Sequence, residues 1–97
     1  MYRILPEVYD ELADLLRGRI GGGSYFSGSV ECLAGEVRVS LLATIIIRRR
    51  DDARPDGEVS LIDDAVAVWW ECHTVVGAAE MLNDCDFAQI RERLKEC

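Results

Sequence analysis

Apolar residues in the first quarter of the chain recur at steps of three and four. Leu5, Val8, Tyr9, Leu12, Leu15, Leu16 and Ile20 fall on one stripe of a 3.6-residue helix, so an amphipathic helix is predicted over residues 5–20. Pro6 suits the first turn, where its missing N–H breaks no hydrogen bond, and Gly21-Gly22-Gly23 ends the helix. No GKS or GKT follows this glycine run and no strand precedes it, so it reads as a joint and not as a phosphate loop.

After the glycines the period changes to two. A two-residue turn at Ala34-Gly35 would set Cys32 opposite Val37, Val30 opposite Val39 and Phe26 opposite Ala43 on one face. On the other face Glu31 would meet Arg38, Ser29 would meet Ser40 and Ser27 would meet Leu42. This register joins apolar with apolar and opposite charge with opposite charge, as cross-strand pairing prefers. The second strand then carries Val37, Val39, Leu41, Ala43, Ile45 and Ile47 toward the core. Residues 48–57, RRRDDARPDG, read as a polar loop with a Pro-Asp-Gly turn, its four arginines nearly balanced by three aspartates. A short strand is predicted over 58–62, an interruption at Asp63-Asp64 as a bulge or a turn, and a further strand over 65–74.

In that last strand, alternation sends Val66, Val68, Trp70 and Cys72 to the core face, and Ala67, Trp69, Glu71 and His73 to the other. The adjacent Cys72 and His73 therefore point apart and make a poor catalytic dyad. Residues 75–84 fit either a helical turn or a hairpin about Gly77-Ala78. Asp86 caps a final helix, with Gln89 completing a capping-box pattern and Phe87, Ile90 and Leu94 forming its apolar stripe. The expected architecture is a single two-layer α+β domain over residues 1–97. It is an antiparallel meander of three to four strands, flanked by N- and C-terminal helices that both pack on the Val37–Ile47 face.

Composition narrows the function. The chain has 97 residues, 49% hydrophobic and 30% charged, which excludes a disordered chain and leaves room for one core. A formal net charge of −7 argues against nucleic acid, whose phosphates must be neutralised by Lys and Arg, and disfavours an anionic membrane surface. It permits a basic protein partner. Carboxylates spread over both helices and all loops give no support to mimicry of a phosphate backbone. No apolar run approaches a membrane span, and Glu7, Asp10, Glu11 and Asp14 fall where a signal peptide would be apolar. A cytoplasmic protein with reduced thiols is expected.

Candidate chemistry is sparse. Cys32, Cys72, Cys85, Cys97 and His73 could together ligate zinc, yet no CxxC pair exists, so free thiols and no metal are expected. There is one histidine and no GxSxG, and Asp51-Asp52 and Asp63-Asp64 read as solvated pairs, so no catalytic residue and no cofactor is assigned. What remains is the face opposite the helices, where Trp69, Glu71 and His73 line up with Arg38 and Glu31. Whether Trp69 is covered or open is not fixed by the pattern. An open face of this kind favours a non-enzymatic protein-binding or assembly module, with a protein partner or a second copy in a homodimer. The alternative is a small-ligand binder or enzyme using His73, Glu71, Arg38 and Glu31.

Overall fold

Pro6 starts helix α1 (Pro6–Ile20) at a position where no backbone donor is needed, and Gly21 ends it with its N–H on the Arg17 carbonyl at 2.9 Å. The rest of the computed structural model, which describes residues 1–96, follows as β1 (Tyr25–Ala34), β2 (Val37–Arg54), β3 (Gly57–Val76), β4 (Ala79–Met81) and α2 (Phe87–Leu94). Cys97 lies outside the described residues. The strands form one antiparallel sheet in the order β1-β2-β3-β4, an α+β meander with a helix at each end.

Both helices lie on one face of the sheet. Leu12 and Leu16 of α1 and Ile90 and Leu94 of α2 are fully buried in one cluster with Val39, Leu41, Ala43 and Ile45 of β2. Each of these Leu, Ile and Val side chains contributes about 1.5–3 kcal/mol of apolar burial. Arg93 ties the helices to each other: its Nε donates to Asp10 Oδ1 at 2.7 Å, and its guanidinium lies 5.3 Å from the centre of the Tyr9 ring. The apolar stripe of α1 is narrower than predicted, since Leu5 and Leu15 are exposed. Ile4, ahead of the helix, is buried in their stead, and its N–H donates to Asp84 Oδ1 at 2.7 Å.

The first hairpin has the predicted faces but not the predicted register. Cys32 pairs with Val39 and Glu31 with Ser40, two residues away from the expected partners, because the turn is Gly35-Glu36 and not Ala34-Gly35. Gly35 has φ +65°, and the first central position of a two-residue hairpin turn is where glycine relieves that strain. A shift of two preserves every face, so Glu31 and Arg38 become diagonal neighbours and still form an ion pair at 3.4 Å.

Residues 48–57 are not a loop. Arg48–Arg54 continue β2, the turn is Pro55-Asp56, and 58–62 belong to the same strand as 65–74. The extension is held at its base: Arg49 donates to the carbonyls of Gly23 at 2.7 Å and Gly21 at 2.6 Å, capping the end of α1, and Arg50 donates to the Glu96 carbonyl at 2.6 Å. The resulting hairpin arm makes the molecule long, 50 × 24 × 18 Å.

Strand β3 departs from simple alternation at two points. The pairing slips between Arg48 and Arg49, leaving Asp63 as an extra residue, and between Thr44 and Ile45, leaving Val68 as an extra residue. The first is the interruption expected at Asp63-Asp64. The second, unpredicted, overturns half of the assigned strand phase. Trp70 and Cys72 pair with Ala43 and Leu41 on the helix-covered face, as expected, but Val66 pairs with Ile46 on the other face, and Ala65 and Ala67 take the core positions. Val66 and Val68 are exposed. Trp70 is not a fully buried core residue either: it is 38% exposed at the rim of the core, its ring 6.3 Å from that of Phe87.

Residues 75–84 resolve as the hairpin, with Gly77 (φ +62°) at the first central position of the Gly77-Ala78 turn. Asp86 caps α2 by accepting the Ala88 N–H at 3.0 Å. The reciprocal half of the capping box is absent: the Asp86 N–H goes to the Tyr9 hydroxyl at 3.0 Å, and the Gln89 side chain accepts instead from Arg93 at 3.1 Å.

Candidate functional site

Because both helices cover one face, the other carries the sequence-predicted residues into solvent in ordered rows. Across β1, β2 and β3 these rows are Tyr25-Ile46-Val66, Ser27-Thr44-Trp69, Ser29-Leu42-Glu71, Glu31-Ser40-His73 and Leu33-Arg38-Val75. Glu80 of β4 extends the last of them. Trp69, Glu71, His73, Arg38 and Glu31 thus do share one face. They do not form one cluster, because Trp69 stands with the apolar end of the face and the other four with the charged end.

At the apolar end Tyr25, Ile46, Val66, Val68 and Trp69 are all exposed, Trp69 to 47%. Val68, beside Trp69, has no partner in the ladder. The Ser27 and Thr44 hydroxyls bond each other at 3.0 Å.

The charged end is a chain of ion pairs. His73 Nδ1 bonds Glu80 Oε1 at 2.5 Å, and His73 Nε2 bonds Glu71 Oε2 at 3.1 Å. These two carboxylates, Glu80 foremost, raise the histidine above its ordinary range. Since carboxylates only accept, a carboxylate at each nitrogen favours the doubly protonated ring. Beside it Arg38 pairs with Glu31 at 3.4 Å, and Ser40 Oγ donates to Glu31 Oε2 at 3.2 Å. All of these groups are solvent-exposed, where each ion pair contributes less than about 1 kcal/mol.

β4 pairs only with Thr74, Val75 and Val76, so the edge of β3 before Thr74 has no strand beside it. A cavity of about 400 Å³ opens along this edge, lined by Trp70, Cys72, His73, Glu80, Met81, Leu82, Asn83 and Cys85. Asn83 fills part of the missing strand: its Nδ2 donates to the Cys72 carbonyl at 3.0 Å, and its Oδ1 accepts the Cys85 N–H at 3.0 Å. Cys32, by contrast, is buried between α1 and the sheet, where desolvation pushes its thiol up to about 11. Among the described residues no group of three or more His, Cys, Asp and Glu side chains converges as a metal site.

A further ion pair sits on the helix side. Asp64, buried beside the first bulge of β3, accepts Arg91 Nε at 2.8 Å and Nη2 at 2.6 Å, and its Oδ1 also accepts the Ala65 N–H at 2.8 Å. The bidentate Arg91 holds this carboxyl far below its usual range. Its location between β3 and α2 makes it a fastening of the helix to the sheet.

No protein-family model, curated protein or solved structure matches the chain. Sequence reasoning placed Ile46 on the uncovered face but passed over Glu80, the exposed Tyr25 and Val66, and the cavity that Cys72 shares with Cys85. For Glu80 a signal existed: the hairpin about Gly77-Ala78 sets it opposite Val75, one diagonal step from His73. For Val66 and Cys85 the sequence holds none, since one depends on an inserted residue and the other on a segment outside any periodic element.

Proposed function

We propose that the chain is a non-enzymatic assembly module whose uncovered sheet face docks against a second copy of itself. The observation that supports this reading is the contiguous apolar end of that face, Tyr25, Ile46, Val66, Val68 and Trp69, all exposed in adjacent positions. Exposed aromatic and aliphatic groups rimmed by charge are the usual composition of an interface. A two-fold axis through the apolar end would lay these residues on their own copies and carry the two charged ends away from each other. The doubly paired His73 favours this reading over the ligand-binding or enzymatic one, because both of its ring nitrogens already have carboxylate partners.

Sedimentation velocity over a range of concentrations tests the reading. The wild-type chain is expected to pass from monomer to dimer with rising concentration, and Ile46→Asp to remain monomeric with an unchanged far-ultraviolet dichroism spectrum. A wild-type chain that stays monomeric at millimolar concentration overturns it, as does an Ile46→Asp variant that dimerises as well as the parent.

A further inference from the structure

Cys72 and Cys85 are separated by the whole β3–β4 hairpin, yet they meet. Three observations bring them together. The Asn83 amide bridges them, bonding the Cys72 carbonyl on one side and the Cys85 N–H on the other, both at 3.0 Å. Both thiols line the same 400 Å³ cavity at the unpaired edge of β3. Both are free and half-buried, whereas Cys32 is sealed in the core. The segment that carries Cys85 is further tied to β3 by Thr74, whose hydroxyl donates to the Met81 carbonyl at 2.7 Å. The two cysteines are thus held side by side by neighbouring groups, without any bond between sulfurs.

We propose that Cys72 and Cys85 form a reversible thiol–disulfide site, open through the edge cavity to a small hydroperoxide, with Cys72 as the attacking sulfur and Cys85 as the resolving one. This site is independent of the assembly reading of the sheet face.

The roles follow from the surroundings. The Cys85 thiol on the same cavity, and after it the neighbouring His73, favour the Cys72 thiolate. Cys85 is pushed the other way, by Cys72 first and then by its half-burial and by Asp86 and Asp84. In the first step the Cys72 thiolate attacks one oxygen of hydrogen peroxide: an S–O bond forms, the O–O bond breaks, and hydroxide leaves to become water with the proton that Cys72 had released. In the second step the Cys85 sulfur attacks Cys72 Sγ: the S–S bond forms, the S–O bond breaks, and hydroxide leaves with the Cys85 proton as a second water. Two thiols lose two electrons and two protons, and one peroxide becomes two waters. A dithiol reductant reverses the change by thiol–disulfide exchange.

The test uses the full chain, reduced, desalted and treated with hydrogen peroxide in modest excess. Expected is a protein lighter by two hydrogen atoms, with two fewer titratable thiols, whose digest contains one cross-linked pair of peptides carrying Cys72 and Cys85. Dithiothreitol should restore the mass and the thiols. In Cys85→Ser, Cys72 should stop at the sulfenic acid and be trapped by dimedone; Cys72→Ser should take up no dimedone at Cys85. A wild-type digest in which the cross-link joins any other cysteines, or in which Cys72 is overoxidised with no cross-link, overturns the proposal, and this reading of the wild-type chain stands whether or not either variant folds.

Discussion

Ile45 and Ile46 are consecutive and chemically identical, and they end on opposite sides of one sheet. Ile45 is 0% exposed beneath the helices, and Ile46 is 53% exposed opposite them. Their cross-strand neighbours repeat the contrast: Ile45 pairs with Phe26 and Ala67, Ile46 with Tyr25 and Val66. The faces therefore do not differ simply as apolar and polar. They differ because two helices with one apolar stripe each can cover one face and no more. The covered face becomes the core, and the uncovered one keeps an apolar end in solvent.

The sharpest test of that contrast is a matched pair of truncations. Ile45→Ala should destabilise the domain by about 3 kcal/mol, the range for a fully buried aliphatic residue, whereas Ile46→Ala should change stability by less than about 0.5 kcal/mol and weaken self-association instead. Urea denaturation at low protein concentration, with sedimentation alongside, separates the two effects. Equal losses of stability would erase the distinction between the faces.

The tryptophans make a less extreme pair. Trp70 is on the covered side but 38% exposed, so Trp70→Ala should cost about 2–3 kcal/mol, less than the removal of a wholly buried tryptophan. Trp69→Ala should cost under about 1 kcal/mol and act mainly on association. Denaturation midpoints for the two variants decide whether the Val68 bulge separates them as described.

The ion pairs of the two sides should also part company. Asp64→Asn replaces a bidentate, charge-assisted contact to Arg91 and should lose about 2 kcal/mol at neutral pH. The Asp64 carboxyl is depressed in the folded state. Its contribution is therefore fully present above the unfolded value of about 3.9 and fades as pH falls below that toward the folded value. Denaturation curves between neutral and acid pH should show the gap between wild type and Asp64→Asn closing in acid.

His73 gives the opposite sign and the smallest effect. Its folded value is raised, so the stability it adds is present below the unfolded value of about 6.5 and is lost as pH rises through the folded one. Because His73 and its partners Glu71 and Glu80 are exposed to solvent, the loss should stay below about 1 kcal/mol. His73→Gln should remove this alkaline limb and leave the acid limb of Asp64 untouched; imidazole titration by proton magnetic resonance gives the direct reading.

Much of the architecture was legible residue by residue. The α1 stripe, the Asp86 cap and the run Val39-Leu41-Ala43-Ile45-Ile47 each rest on a local period or a local hydrogen bond, which neighbouring residues specify without help from the rest of the fold. The placement of Glu31, Arg38, Trp69, Glu71 and His73 on one face was legible for the same reason, and it survived a register error because a slip of two residues returns every side chain to its own side.

What the tertiary structure alone decided is where that local order is interrupted or joined. The bulge at Val68 moves Val66 from the core to the surface, and an extra residue in one strand has meaning only against the partner strand that it fails to match. The polar stretch after Ile47 runs on as strand because Arg49 and Arg50 find carbonyls at the end of α1 and at Glu96, groups remote in sequence. Glu80 reaches His73, and Cys85 reaches Cys72, across a hairpin whose turn sets both meetings at once. Periodicity reports what a residue's neighbours along the chain require of it; which distant groups arrive beside it depends on how the chain returns, and that is settled only when the whole sheet and both helices are packed.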